Sequence, residues 1–232
     1  MITIFTICTG KYSMFFENFY NSCEEFFLKD YNKKYYVFTD GDIIERDNIV
    51  KIHKEKLGWP YDTMMRFQMF NMVKDDVMSS DYAFFFNVNI LFLKEISQEV
   101  LPNQENGYLV GVRHQGYYYE TINSFPYERD INSSLFIPYG SGRFYYQGCF
   151  IGGRTKEFME MSMILDTLIK KDLSNNIIPI WHDESALNWY YASREPLGLH
   201  YTYAIPEAVK KEDSLAIQLD KNKFGGHQQL RD

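Results

Sequence analysis

The opening 53 residues constrain the fold most. Residues 1–9 are β-branched and apolar, and Gly10 breaks the run. From Ser13 onward Phe15, Phe16, Phe19, Phe26 and Phe27 recur at roughly helical spacing. Residues 34–39 (KYYVFT) and 49–53 repeat the strand signal on either side of an acidic turn, Asp40-Gly41-Asp42. Strand, helix, strand in this order predicts a βαβ unit. That unit requires a parallel sheet, with a ligand crevice outside the carboxyl ends of its strands.

The rest of the chain extends this pattern. Asp62 can cap a helix running to about Val77, with Met64, Phe67, Phe70, Met72 and Val73 on its apolar side and Arg66 off it. Residues 82–93 (YAFFFNVNILFL) form the most hydrophobic predicted strand, interrupted by Asn87 and Asn89, which at spacing two share a face of an extended chain. Further strands are expected at 109–114 and, among glycines, at 144–151; helices are expected at 155–171 and 185–192. The tail after Pro206 is polar and weakly patterned. No repeat or linker divides the chain, so a single domain over 1–232 is expected, with a nucleotide-binding half over about 1–93 and an acceptor half over about 94–232.

With 45% apolar and 18% aromatic residues, the 232-residue chain can bury a sizeable α/β core, and disorder and coiled coil are excluded. Acidic side chains outnumber basic ones, 31 to 24, and no Lys/Arg block stands out, which argues against a nucleic-acid partner. Cys8, Cys23 and Cys149 are odd in number and lack metal-site spacing, so a reducing compartment is expected rather than disulfides or zinc. The start MITIFTICTG lacks a basic n-region, and no apolar run reaches the ~18–20 residues of a membrane span. The sequence therefore predicts a soluble, cytoplasmic protein. Tyrosine-rich stretches such as GYYYET and RFYYQG suit sugar C–H faces and also suit core and interface packing, so alone they favour carbohydrate binding only slightly.

Three constellations can carry chemistry. Two carboxylates at the spacing of Asn87-Val88-Asn89 would bind a divalent metal; asparagine keeps the oxygen and loses the charge, which predicts metal independence. The alternative is two amides satisfying backbone groups. In Trp181-His182-Asp183-Glu184 two carboxylates adjoin an imidazole and an indole at a loop-to-helix junction. They serve either as helix caps or as the negative group that a glycosyl centre needs as it gains oxocarbenium character. Arg66 and the tail residues Lys221, Lys223, His227 and Arg231 are ordinary solvated cations, or a closing set of charges for a diphosphate.

Six segments, in order, give the chain a family resemblance over nearly its whole length: TGKY at 9–12, MMR at 64–66, FFFNVN at 84–89, FPYERD at 125–130, FYYQGCFIGG at 144–153 and WHDESALN at 181–188. It resembles glycosyltransferase family 6, the retaining enzymes that include the blood-group A and B transferases and the α-1,3-galactosyltransferase, and its short bacterial members in particular. The resemblance implies a GT-A-like fold with a mixed, mainly parallel sheet flanked by helices. It also implies transfer of a galactose-type sugar from UDP to a galactoside.

By the same resemblance, Ile7, Thr9 and Tyr12 contact the nucleotide, and Arg66 lies near the donor sugar and diphosphate. Asn87, Val88 and Asn89 replace the metal-binding Asp-Val-Asp of mammalian members, so no cofactor metal is expected, while ribose or phosphate contacts remain. Gln147, Gly148 and Cys149 fall where the family separates UDP-N-acetylgalactosamine from UDP-galactose users. Small Cys149 and the amide of Gln147 favour the acetamido sugar. Asp183 matches a donor-sugar ligand and Glu184 the nucleophile or ion-pair stabiliser. His114 matches an acceptor contact, with Gln115, Trp181 and His182 also on the acceptor side; His114-Gln115-Gly116-Tyr117-Tyr118 resembles the blood-group pattern, which favours a fucosylated, H-type galactoside. Lys223 and Arg231 resemble basic residues that fold over UDP. The anchor and stem of the animal enzymes have no counterpart, which favours a bacterial, soluble protein. Two rivals stand beside this reading: a catalytically silent glycan- or UDP-sugar-binding protein, and a UDP-galactose-specific, metal-dependent transferase.

Overall fold

A computed structural model describes residues 1–231, with Arg231 as backbone only. β1 (Ile2–Ile7) leads through a 3-10 turn, Gly10–Phe15, into α1 (Phe16–Phe26), and then come β2 (Lys33–Thr39) and β3 (Ile49–His53). Three short helices follow: α2 (Tyr61–Met64), α3 (Arg66–Asn71) and α4 (Lys74–Val77). The chain continues through β4 (Tyr82–Phe86), β5 (Ile90–Phe92), β6 (Leu109–Arg113), β7 (Tyr146–Arg154), α5 (Thr155–Ser174) and α6 (Asp183–Ala192). It closes with β8 (Leu197–Leu199), β9 (Ile205–Pro206), β10 (Ala216–Gln218) and α7 (Gly226–Arg231).

The main sheet has seven strands in the order β3-β2-β1-β4-β7-β6-β8. All pair in parallel except β7, which runs against both its neighbours. The expected βαβ start is therefore present, in the expected mixed, mainly parallel GT-A-like α/β fold. β4 explains why its sequence is apolar without alternation. Phe84 and Phe86 face a core containing Phe16, Phe19 and Phe27, while Ala83 and Phe85 face the opposite core with Phe5, Phe70 and Phe158. A sheet covered on both sides needs apolar residues at every position. Polar exceptions are satisfied: Thr6 donates to the Phe86 carbonyl, and the Thr3 and Ser80 hydroxyls pair at 2.8 Å.

Several expectations are corrected. The helix expected from Asp62 to Val77 breaks at Met65 and Val73, where ψ reaches 12° and 17°. Asp62 caps no helix; its carboxylate accepts the Leu57 N–H at 2.7 Å. Met72, assigned to the apolar side, is 57% exposed, whereas Arg66 is only 3% exposed. Periodicity could not foresee this, because the groups that draw Arg66 inward lie on distant β7 and α6. The strand expected over 82–93 is two strands. After Phe86 the chain turns through residues 87–89, closed by the Ile90 N–H on the Asn87 carbonyl, and β5 joins a second sheet. Asn87 and Asn89 thus flank a turn instead of sharing a strand face. That second sheet, β5-β10-β9, takes its central strand from the tail that looked unpatterned. Ala216 and Ile217 of β10 are buried.

β7 begins two residues later than expected and runs on through Gly152 and Gly153. Gly152 lies opposite Phe84 in the β4–β7 register, and a Cβ there would overlap the Phe84 ring. Neither rigid backbone nor a ring packed on Phe27 and Phe150 can yield easily. Gly152→Ala is expected to lower unfolding free energy by about 1–3 kcal/mol, read from urea denaturation midpoints; an unchanged midpoint would show that the ring has room to move.

Candidate active site

Two adjoining cavities, about 100 and 350 Å³, open at the edge where β1 and β4 end. The first is lined by Ile7, Thr9 and Tyr12 after β1, by Arg66, and by Asn87, Val88 and Asn89 after β4. The second gathers His114, Gln115, Gln147, Gly148, Cys149, Trp181, His182, Asp183 and Glu184. Arg66 and Asn87 line both. This is the crevice that parallel α/β sheets place at their carboxyl ends.

A buried ion pair organises the junction. Arg66 Nη1 lies 2.9 Å from Asp183 Oδ2 and donates to the Gly148 carbonyl at 2.5 Å. Arg66 Nε donates to the Thr63 carbonyl, and the guanidinium lies over the Phe85 ring at 4.4 Å. The Gly148 N–H donates to Glu184 Oε2 at 2.8 Å. One peptide residue therefore holds the arginine with its carbonyl and the glutamate with its N–H. Residue 148 must be glycine, because a Cβ would stand 2.7 Å from Asp183 Oδ2. Asn188 fastens α6 to this strand: its side-chain amide exchanges two hydrogen bonds with the Tyr146 backbone, at 2.9 and 2.8 Å. Asp183 and Glu184 both lie in the first turn of α6, whose N-cap residue His182 makes no side-chain cap bond, and Glu184 reaches across to Gly148.

Burial pushes the Asp183 carboxyl up to about 7, against the pull of Arg66 and with the help of neighbouring Glu184. Burial also raises Glu184, opposed by the Gly148 N–H, the Tyr145 hydroxyl and Arg66. His182, before α6, has φ 56° and ψ −119°, a strained backbone for a residue with a side chain, and its ring meets Trp59 edge-on at 4.8 Å. Burial lowers the pKa of His114, favouring neutral imidazole. Its Nδ1 accepts the Gly116 N–H, so the proton sits on Nε2.

The asparagines divide the two roles weighed for them. Asn89 is buried and serves the backbone, donating from Nδ2 to the Leu219 carbonyl while its own carbonyl accepts the Leu219 N–H. Asn87 lines both cavities. Among the described residues no group of three or more His, Cys, Asp or Glu side chains is placed to share a metal ion. Of the two expected tail cations, Lys223 lines neither cavity, is 59% exposed at its side chain, and pairs with Glu207 at 2.5 Å. The Arg231 side chain lies outside the described residues. The tail cation that lines both cavities is Lys221, whose ammonium stands 5.1 Å from the Tyr12 ring. Sequence reasoning also passed over Lys56, Trp59, Thr63 and Gln218. The tryptophan-proline pair at 59–60 was the one local signal for the nearby loop.

The fold and its crevice define a GT-A-like α/β protein with paired carboxylates beside a buried arginine. The family model described as Glycosyltransferase family 6 matches residues 1–214. The O-antigen biosynthesis glycosyltransferase WbnI of Escherichia coli is 40% identical over 227 residues, covering 96% of each chain. Globoside α-1,3-N-acetylgalactosaminyltransferase 1 of Gallus gallus is 31% identical over 206 residues. Histo-blood group ABO system transferase 2 of Rattus norvegicus is 29% identical over 205 residues. Each of these two alignments covers 84% of this chain, which spans 58% and 59% of the animal proteins' lengths. The chain belongs to glycosyltransferase family 6. No helix among the described residues is long and apolar enough to cross a membrane.

The ion pair carries a stability prediction. Arg66→Ala leaves the Asp183 charge buried and unpaired, and should cost about 3–5 kcal/mol of unfolding free energy. Combining it with Asp183→Asn should cost less than the two single losses added together. Strict additivity in urea melts would show that the two groups do not interact.

Proposed function

We propose that the protein transfers N-acetylgalactosamine, or galactose, from its UDP-sugar to the 3-hydroxyl of a fucosylated galactoside. The product linkage is α-1,3, configuration is retained and no divalent metal is needed. The observation that carries this reading is the Arg66–Gly148–Glu184 knot, with Asp183, where the two cavities meet. The relatives named for α-1,3-N-acetylgalactosaminyl and blood-group transfer support the sugar class.

In this reading residues 1–93 supply most of the nucleotide side, with uracil and ribose on Ile7, Thr9 and Tyr12 and the diphosphate near Asn87. Residues 94–232 supply most of the acceptor side. As the UDP leaves, negative charge grows on the diphosphate and positive charge on the anomeric carbon. Fixed groups aimed at developing charge stabilise the transition state without reorganising. Arg66 and Lys221 serve the diphosphate; Lys221 takes the place first given to Lys223. Glu184, its Oε2 already held by Gly148, faces the sugar's positive charge, and Asp183 binds sugar hydroxyls. His114 offers its Nε2–H to the acceptor, beside Gln115, Trp181 and His182. Gln147 and Cys149 meet the substituent on the sugar's C2.

A hard cation wants carboxylate or several oxygen ligands. The 87–89 turn offers neutral amides, one of which is tied to Leu219, and Asp183 is tied to Arg66. This donor set fits a diphosphate neutralised by side-chain cations better than one bridged by a metal. Three buried, unbridged cysteines suit a reducing cytoplasm.

Incubation with UDP-N-acetylgalactosamine or UDP-galactose and an H-type trisaccharide should yield UDP and an α-1,3-linked product, undiminished by EDTA. Glu184→Gln should reduce turnover by roughly 10²–10³-fold. A chain that binds donor but releases no UDP is a binding module, and activity lost to EDTA and restored by Mn²⁺ makes it a metal-dependent enzyme. The pH profile follows from Asp183. Below about 7 its carboxylate takes up a proton and loses both its charge toward Arg66 and its capacity to accept sugar hydroxyls, so kcat/KM should fall toward acid with a limb near that value. A flat profile from pH 6 to 8 would contradict this role.

A further inference from the structure

The second cavity contains a pair of glutamine side chains whose orientations are both dictated by one backbone oxygen. The Ala204 carbonyl, fully buried, accepts from Gln147 Nε2 at 3.1 Å and from Gln218 Nε2 at 3.0 Å. Gln218 Nε2 also donates to Gln147 Oε1 at 3.0 Å, and the Cys149 thiol reaches the same oxygen at 3.3 Å. Turning Gln147 end for end would set its oxygen against the Ala204 oxygen and its amino group against that of Gln218. Turning both amides would place two oxygens on one carbonyl. A carbonyl can only accept, so neither flip is available.

The bookkeeping of donors and acceptors then decides what each amide has left. Gln147 has used both acceptor positions of Oε1 and one of its two N–H groups, so it retains one N–H. Gln218 has used both N–H groups, so it retains its carbonyl oxygen. Both residues line the cavity, as do Cys149, Asp183 and Glu184. The cavity wall therefore carries one donor beside one acceptor. A secondary amide carries the complementary set: its C=O accepts and its N–H donates.

We infer that Gln218, through its own oxygen and through its hold on Gln147, is a specificity-determining residue that selects a donor sugar bearing an acetamido group at C2. This rests on the proposed reading that the C2 substituent meets Gln147 and Cys149, and adds to it a residue from β10, in a different part of the chain. In the complex the sugar's acetamido oxygen accepts the spare Gln147 N–H, and its N–H donates to Gln218 Oε1. A 2-hydroxyl also accepts and donates, but from one oxygen, whereas the acetamido group sets its acceptor and its donor on separate atoms that match the two separate side chains. Sites built to hydrogen-bond a group discriminate strongly against ligands lacking it.

The test measures the ratio of kcat/KM for UDP-N-acetylgalactosamine to that for UDP-galactose, together with equilibrium binding of each, in the wild type and in Gln218→Leu and Gln218→Asn. A ratio within one preparation does not depend on how much of it is folded. Gln218→Leu removes the acceptor and releases Gln147, and should lower the ratio by roughly tenfold, about the worth of one well-placed hydrogen bond. Gln218→Asn keeps the chemistry on a shorter stem and should fall between. A ratio unchanged within twofold in both variants overturns the inference while leaving the transferase reading intact. So does an equal loss of both donors in both variants, which would make Gln218 mere scaffold. A wild-type protein that binds neither UDP-sugar overturns the transferase reading itself, and this inference with it.

Discussion

A single buried guanidinium organises the candidate site. Arg66 is withdrawn from water, and a buried charge is tolerated only when paired and hydrogen-bonded. Its partners are the Asp183 carboxylate, the Gly148 carbonyl and the Thr63 carbonyl. Those partners lie on α6, on β7 and in α2, so meeting the electrostatic demand of one side chain fixes three elements relative to one another. The Gly148 N–H, left over from the same peptide residue, fixes Glu184 as well. Neither carboxylate can rotate without leaving a polar group unpaired, and a half-satisfied buried network is costlier than none. Positional precision at the carboxylates is thus a by-product of keeping Arg66 satisfied.

The reversed direction of β7 makes this arrangement possible. Parallel strands bring only their carboxyl ends to the crevice, and the residues at those ends are Ile7 of β1 and the 87–89 turn after β4. An antiparallel neighbour delivers its beginning to the same edge. In the β4–β7 register Phe86 pairs with Phe150, and the Asn87 N–H donates to the Cys149 carbonyl. Gln147, Gly148 and Cys149 therefore arrive beside Asn87 without any extra loop. β7 then passes under Phe84 at Gly152, where a side chain cannot fit, and leads directly into α5.

How much of this was legible in the chain depends on the distance over which each feature is determined. The βαβ opening and the carboxylate pair at 183–184 are local patterns, and the ordered motifs tied them to one family; the end of β4 at Phe86 was hidden inside an apolar run that read as one strand. Arg66 could not be placed on the correct side of its helix, because what draws it inward is 82 positions away at Gly148. β10 was invisible for a related reason. A three-residue strand has too few positions for a period, and Ala216–Gln218 becomes a strand only because β5 and β9 offer it hydrogen bonds on both edges. Gln218, on the same strand, carried no signal at all; an isolated glutamine in a polar tail acquires meaning only from the Ala204 oxygen beside it.

The tail cation shows the same limit at the scale of one turn. Lys221–Phe224 is a 3-10 helix whose start is capped by Asp220 accepting the Asn222 N–H. With three residues per turn, side chains two positions apart point about 120° from each other. Lys221 and Lys223 therefore cannot both face the crevice. The chain sends Lys221 inward over Tyr12 and binds Lys223 to Glu207 on the outside. Net charge cannot distinguish the two, since each contributes one positive unit to a protein of net charge −7. What separates them is their position relative to the crevice. There Arg66 is paired with Asp183, and Lys221 and Lys56 also line the first cavity. The placement of Lys221 depends on how the C-terminal segment packs against Tyr12. Asn89 clamps that segment by donating to the Leu219 carbonyl, which gives this asparagine a structural purpose of its own.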